Sequence, residues 1–117
     1  MFQSHKDLPV WQKSMDLVCE IYSITSCFPK DESFCLTNQI RRAAISIPSN
    51  IAEGHGRSTS KEFSYFLNVS RGSLAEIDTQ AEISYRLNYI NEQKLNDLKA
   101  KITEVDKMLF SLQKTLP

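Results

Sequence analysis

Glycine and proline are scarce in this 117-residue chain, at three and four residues. With few obligatory breaks, helices can run long, and the breaks that exist divide the chain into four segments. No stretch of useful length alternates apolar with polar residues, so no strand is expected. An excess of charge is missing too: 14 basic residues balance 14 acidic ones. Polyanion binders gain from counterion release, so a neutral chain would need a local basic patch, or an oligomer that concentrates one. No run approaches the roughly 18 apolar residues of a membrane helix. The N-terminal MFQSHKDLPVWQ has no basic segment leading into an apolar one. The cysteines, Cys19, Cys27 and Cys35, are odd in number and form no CxxC pair, which fits free thiols in a reducing compartment. These absences predict one cytoplasmic domain without membrane contact, large enough to bury a core unaided.

What is present predicts four helices, over about residues 8–28, 31–53, 59–88 and 92–115. Asp7 is placed to cap the first, where Pro9 is tolerated because first-turn amides lack intrahelical acceptors. Pro29 closes it, and Gly54-His55-Gly56 follows the second. The third opens on the capping box Thr59-Ser60-Lys61-Glu62. Asn91 caps the fourth, with Ile90 and Leu95 placed as a hydrophobic staple. Leu95, Leu98, Ile102, Val105, Leu109, Leu112 and Leu116 then alternate spacings of three and four, the seam of a left-handed bundle.

The first helix carries more apolar surface than one core needs. Leu8, Trp11, Met15, Val18 and Tyr22 form one stripe, and Val10, Leu17, Ile21, Ile24 and Phe28 form a second. A core-facing stripe is only somewhat wider than 100°, so the surplus points to a subunit interface. Pro48 complicates the second helix. It removes an amide donor and crowds the Ala44 carbonyl, at about 3 kcal/mol. The helix either breaks near Ile47 or continues with a kink; the kinked form is expected, with Ser46, Ser49 and Asn50 available to the freed carbonyls.

On a helical wheel Gln39, Arg42, Ser46, Asn50 and Glu53 share an arc of about 80°. They lie beside the apolar Leu36, Ile40, Ala43, Ile47 and Ile51. The third helix repeats this arrangement, with Ser73, Glu76 and Gln80 beside a core face that includes Phe63, Phe66, Leu67 and Leu74. If the two polar edges meet, Arg42 with Glu76, and Asn50 or Glu53 with nearby backbone, would form a partly buried network that sets register; otherwise they are a solvated edge. Gly72 costs roughly 1 kcal/mol against alanine in mid-helix, which a close backbone approach would explain; the alternative is a chance surface glycine.

The string Gln39-Ile40-Arg41-Arg42-Ala43 through Ser46-Ile47-Pro48-Ser49-Asn50-Ile51-Ala52-Glu53-Gly54, then Gly56-Arg57-Ser58, resembles the signature of a bacterial family of four-helix-bundle proteins. That family was first described as encoded by intervening sequences within 23S ribosomal RNA genes. The likeness extends to Leu8-Val10-Trp11, Phe28-Pro29 with Glu32, Glu62-Phe63, Phe66-Leu67 and Gly72-Ser73-Leu74-Ala75-Glu76. The resemblance implies an all-α, antiparallel up-and-down bundle assembling into a ring-shaped homopentamer, with no established enzyme activity. A related branch, the accessory proteins of diversity-generating retroelements, binds nucleic acid through a strongly basic surface; this chain differs in its zero net charge.

The sequence offers no catalytic residues, cofactor or metal site. His5 and His55 fall in different loops, and the cysteines are spaced eight apart. Gly54-His55-Gly56-Arg57-Ser58-Thr59 lacks the spacing of a phosphate-binding loop and reads as a helix connection. Between Gln39 and Lys61 the basic residues are Arg41, Arg42, Arg57 and Lys61, against Glu53 and Glu62. With Arg42 tied into the polar edge, Arg41, Arg57 and Lys61 are the candidate contacts for RNA or DNA, multiplied around an oligomer. The leading expectation is a homo-oligomeric structural or adaptor protein, possessing a protein partner in the adaptor form; the alternative is RNA binding.

Overall fold

In the computed structural model, which describes residues 4–117, the chain forms four helices and, among the described residues, no strand. The first three residues of the N-terminal segment read above lie outside that range. The helices are α1 (Pro9–Thr25), α2 (Leu36–His55), α3 (Ser60–Arg86) and α4 (Glu92–Thr115). Contacts run α1–α2, α2–α3, α3–α4 and α4–α1, closing a four-membered bundle in which α2 and α3 share the most extensive face. The α1–α2 and α3–α4 connections meet at one end, where the Phe28 and Tyr89 rings lie 5.1 Å apart. The bundle is therefore antiparallel and up-and-down.

Both boundaries of α1 and both of α2 differ from the sequence reading. Asp7 does not cap α1: it ends a single 3-10 turn, His5–Asp7, and Leu8 is the N-cap without a side-chain hydrogen bond. Pro9 then occupies the first helical turn, where its missing amide costs nothing. At its other end α1 stops at Thr25 rather than Phe28, because Phe28 turns back to bury itself against Tyr89. A 3-10 turn at Lys30–Glu32 intervenes before α2, and the Glu32 carboxylate accepts the Leu36 amide at 3.2 Å. α2 also continues through Gly54, and it runs through Pro48 without a break.

Each remaining helix start is set locally. The Thr59 hydroxyl oxygen accepts the Glu62 amide at 3.1 Å and donates to the Glu62 carboxylate at 3.0 Å; Asn91 accepts the Lys94 amide at 2.8 Å. α3 ends on Asn88 in the left-handed region (φ 65°), with the Tyr89 amide reaching back to the Ser84 carbonyl, a closure asparagine tolerates better than most residues. The core combines Val10, Leu17 and Ile21 of α1 with Ile40, Ile47 and Ile51 of α2, Leu67, Leu74 and Ile77 of α3, and the α4 leucine seam. Ser14 and Thr25 complete the inner stripe of α1, buried because each hydroxyl donates to a carbonyl of its own helix at 2.7 Å.

The loop end is tied by the Tyr89 hydroxyl, which donates to the Glu32 carboxylate at 2.8 Å. That bond, with desolvation and the charges of Glu32 and Asp31, holds the Tyr89 phenol above its usual pKa. A raised folded-state pKa means the stabilisation is full below the unfolded value of about 10 and is lost as pH rises through the folded one. The stability difference between wild type and Tyr89→Phe, followed by urea unfolding, should stay constant to about pH 9 and shrink above about pH 10. A difference that is flat across the alkaline range would show that this bond contributes nothing.

Candidate functional site

The polar edges of α2 and α3 do meet, through their small residues. The hydroxyls of Ser46 and Ser73 are 2.8 Å apart. The Asn50 amide donates to the Ser46 carbonyl at 2.7 Å and to its hydroxyl at 3.0 Å. One turn along, the buried Ser70 hydroxyl donates to the Ile47 carbonyl at 2.9 Å, beside Pro48. Gly54 continues this close contact: a Cβ there would sit 2.8 Å from Phe66 Cβ and 3.2 Å from the Phe63 carbonyl oxygen. The close approach expected at Gly72 is found at Gly54 instead, since nothing lies within 4 Å of a Cβ built on Gly72.

The longer members of the stripe behave differently. Arg42 and Glu76 are both exposed, and among the described residues no ion pair joins them. They sit at matching levels of the antiparallel pair, but serine-to-serine contact leaves no room for them between the helices, and at the rim both charges stay hydrated. Gln39 is exposed, and Glu53 turns to Arg57 at 2.8 Å. Gln80 keeps its side-chain oxygen buried without a hydrogen-bond partner, as does Thr37 its hydroxyl.

Among the basic residues Lys61 stays exposed as the sequence reading had it, while Arg41 and Arg42 exchange roles. Arg41 is committed inside the subunit: its Nε donates to Thr25 Oγ1 at 2.8 Å and its guanidinium lies 4.3 Å from the Tyr22 ring centre. It closes the C-terminal end of α1, a role no local pattern announces. Arg57 is held by Glu53 and, at 3.9 Å, by Glu62, over the Phe66 ring. Arg42 and Lys61 are exposed and make no ion pair among the described residues. The exposed basic residues of this segment without a side-chain partner among the described residues are therefore Arg42 and Lys61.

Elsewhere several charges lace the helices together. Arg71 pairs with Asp106 at 2.8 Å, and Lys99 with Glu82 at 2.8 Å and Asp78 at 3.4 Å. Hydrogen bonding to these partners raises the Arg71 and Lys99 pKa values and lowers that of Glu82. Lys13 pairs with Glu104 at 3.7 Å, and Lys101 with Glu20. Such exposed pairs contribute about 0–1 kcal/mol each, and outside the Gln39–Lys61 segment Lys6, Lys30, Arg86, Lys94, Lys107 and Lys114 make no ion pair among the described residues.

The remaining distinctive surface is apolar. On α1 the inner stripe enters the core while the other stays at the surface: Met15 and Tyr22 remain 37% and 39% exposed, and Trp11 and Val18 are only partly covered. Opposite them on α2, Ile45 is 43% exposed. Trp11, Met15, Val18 and Ile45, with His5, Pro48, Ser49 and Ala52, line a groove of about 330 Å³ between α1 and α2. A second groove, of about 320 Å³, lies on the α4 side of α1 between Leu8, Pro9, Met108 and Leu112.

A family model described as "23S rRNA-intervening sequence protein" matches residues 6–111. The chain belongs to this family. A solved structure, of a protein of unknown function from the S23 ribosomal protein family of Bacteroides thetaiotaomicron, is similar to it at 26% identity and a TM-score of 0.83, covering 91% of this chain and 99% of that one. No functionally curated protein matches the chain. For this member of the 23S rRNA-intervening sequence protein family, the motif from Gln39 to Gly54 is thus the α2 half of the α2–α3 contact. Ser46 and Asn50 build its hydrogen bonds, and Gly54 provides the space for Phe63 and Phe66.

Proposed function

We propose that the chain is a non-enzymatic structural subunit that assembles with copies of itself through the apolar surface around α1. The observation that carries this reading is the apolar stripe of half-buried Trp11 and Val18 and exposed Met15 facing exposed Ile45 across the α1–α2 groove, with exposed Tyr22 further along α1. Contiguous exposed apolar surface of this kind marks interaction sites in folded proteins. A closed ring needs two unlike patches on every subunit, and the grooves on the two sides of α1 supply a pair. The pentameric number rests on the family resemblance alone. An adaptor role, with the assembled ring presenting a surface to another protein, follows from the same architecture.

Light scattering coupled to size exclusion tests assembly directly. The wild type is expected to run as an oligomer. Met15→Glu combined with Ile45→Glu should release monomers that keep their helical circular dichroism, because neither side chain belongs to the core. A monomeric wild type would overturn the reading. Nucleic-acid binding remains the competing class, and Arg42 and Lys61 are the residues it would use. Co-purified nucleic acid, with a salt-sensitive gel shift weakened by Arg42→Ala and Lys61→Ala, would replace the structural reading with that one.

A further inference from the structure

The chain has two histidines, fifty residues apart in sequence, and the fold brings both to one place. His5 lies in the 3-10 turn before α1, and His55 is the last residue of α2. Their ring centres are 6.4 Å apart, with the planes inclined at 70°. Trp11 lies against His5, with ring centres 5.3 Å apart, and Phe63 against His55 at 6.0 Å. Both imidazoles are half-buried. The flanking rings offer a metal no lone pair, since the Trp11 indole nitrogen is a donor only and Phe63 is a hydrocarbon, so the two imidazoles are the only ligating groups in this aromatic cluster.

We infer that His5 and His55 together form a two-imidazole seat for a borderline divalent transition metal, zinc above all, with water completing the coordination. Imidazole is the preferred nitrogen ligand of this class. Zinc imposes no electronic geometry of its own and accepts water alongside histidine. Zinc–nitrogen distances of about 2 Å put the centres of two rings on one tetrahedral ion roughly 5 Å apart. The pair closes to that spacing by a movement of roughly 1 Å, which the three-residue turn carrying His5 can make more readily than the helix carrying His55. No group of three or more His, Cys, Asp or Glu side chains converges among the described residues, so this is an open site of modest affinity rather than a closed structural one. Its consequence is mechanical: a bound ion staples the N-terminal turn to the end of α2, at the rim of the α1–α2 groove that His5 also lines.

The test is a titration of the purified chain, free of any histidine tag, with zinc chloride, using magnesium chloride as a hard-cation control. The thermal midpoint should rise with the logarithm of zinc concentration, as for any ligand bound only by the folded state, and stay flat with magnesium. Both histidine ring C–H resonances should shift together. His5→Gln and His55→Gln should each abolish the slope; because the readout is the slope against metal, a lower starting midpoint in either variant does not matter. A flat zinc response in the wild type, or a slope that survives either substitution, overturns the site.

Discussion

Gly54→Ala is expected to lower stability by about 1–3 kcal/mol, the usual cost of overpacking a tight contact, or roughly 3–6 °C of melting midpoint per kcal/mol in a domain of this size. The added methyl would fall 2.8 Å from Phe66 Cβ, 2.9 Å from Phe63 Cδ1 and 3.2 Å from the Phe63 carbonyl oxygen. A Cβ and a backbone oxygen cannot swing aside, so α2 and α3 must separate. Gly72→Ala should do the opposite. Its methyl meets nothing within 4 Å, and a mid-helix glycine costs roughly 0.5–1 kcal/mol against alanine, so the folded subunit gains about that much. Thermal unfolding of the pair separates the two glycines cleanly. Equal and small effects would mean that the α2–α3 contact is looser than these distances require. Measuring mass on the same samples adds a second readout, since a stabilised Gly72→Ala subunit that no longer assembles would place Gly72 against a neighbouring copy.

Ser70→Leu should be as damaging, by a related route. Ser70 is fully buried, and its hydroxyl donates to the Ile47 carbonyl across the α2–α3 contact. Leucine adds volume where the helices are held together by Ser46–Ser73, Ser70–Ile47 and Gly54–Phe66, so about 1–3 kcal/mol of strain is expected. Ser70→Ala keeps the helices close and removes one hydrogen bond, at about 1 kcal/mol. Urea unfolding of both variants decides whether small size or hydrogen bonding matters more at this position. If Ser70→Ala proves the worse of the two, the small-residue account of the contact fails.

Much of the bundle was legible because periodicity reports one-dimensional chemistry. The α4 seam reads directly from leucine and β-branched spacing, and Leu95, Leu98, Ile102, Val105 and Leu109 are buried. The Thr59 and Asn91 caps are legible for the same reason: a cap is completed within three residues of itself. The first-helix boundaries were less so. Phe28 fits the helical stripe, but Pro29 disfavours a helical conformation before it, and Phe28 packs instead against Tyr89, far away in sequence. Ser14, Thr25 and Ser70, which no apolar periodicity marks, belong to the core because short hydroxyls can satisfy themselves on nearby carbonyls.

The candidate site divides along the same line. The stripe of Gln39, Arg42, Ser46, Asn50 and Glu53 was visible on a wheel, but a wheel gives angle without distance. It could not say that Ser46 and Ser73 touch while Arg42 and Glu76 stay at the rim. Nor could it foresee Arg41 tied to Thr25 and Tyr22, or His5 brought to His55.

By itself, then, the sequence determined an all-α chain of four helices, a surplus apolar stripe on the first, and a polar edge beside the core of the second and third. Each follows from the period of a helix and the chemistry of its caps. The tertiary structure alone decided which of the α1 stripes is core and which glycine marks a close approach. It also decided which arginines are free. Those outcomes depend on how far apart two helices lie, a distance set by side chains on both, which no single stretch of sequence contains.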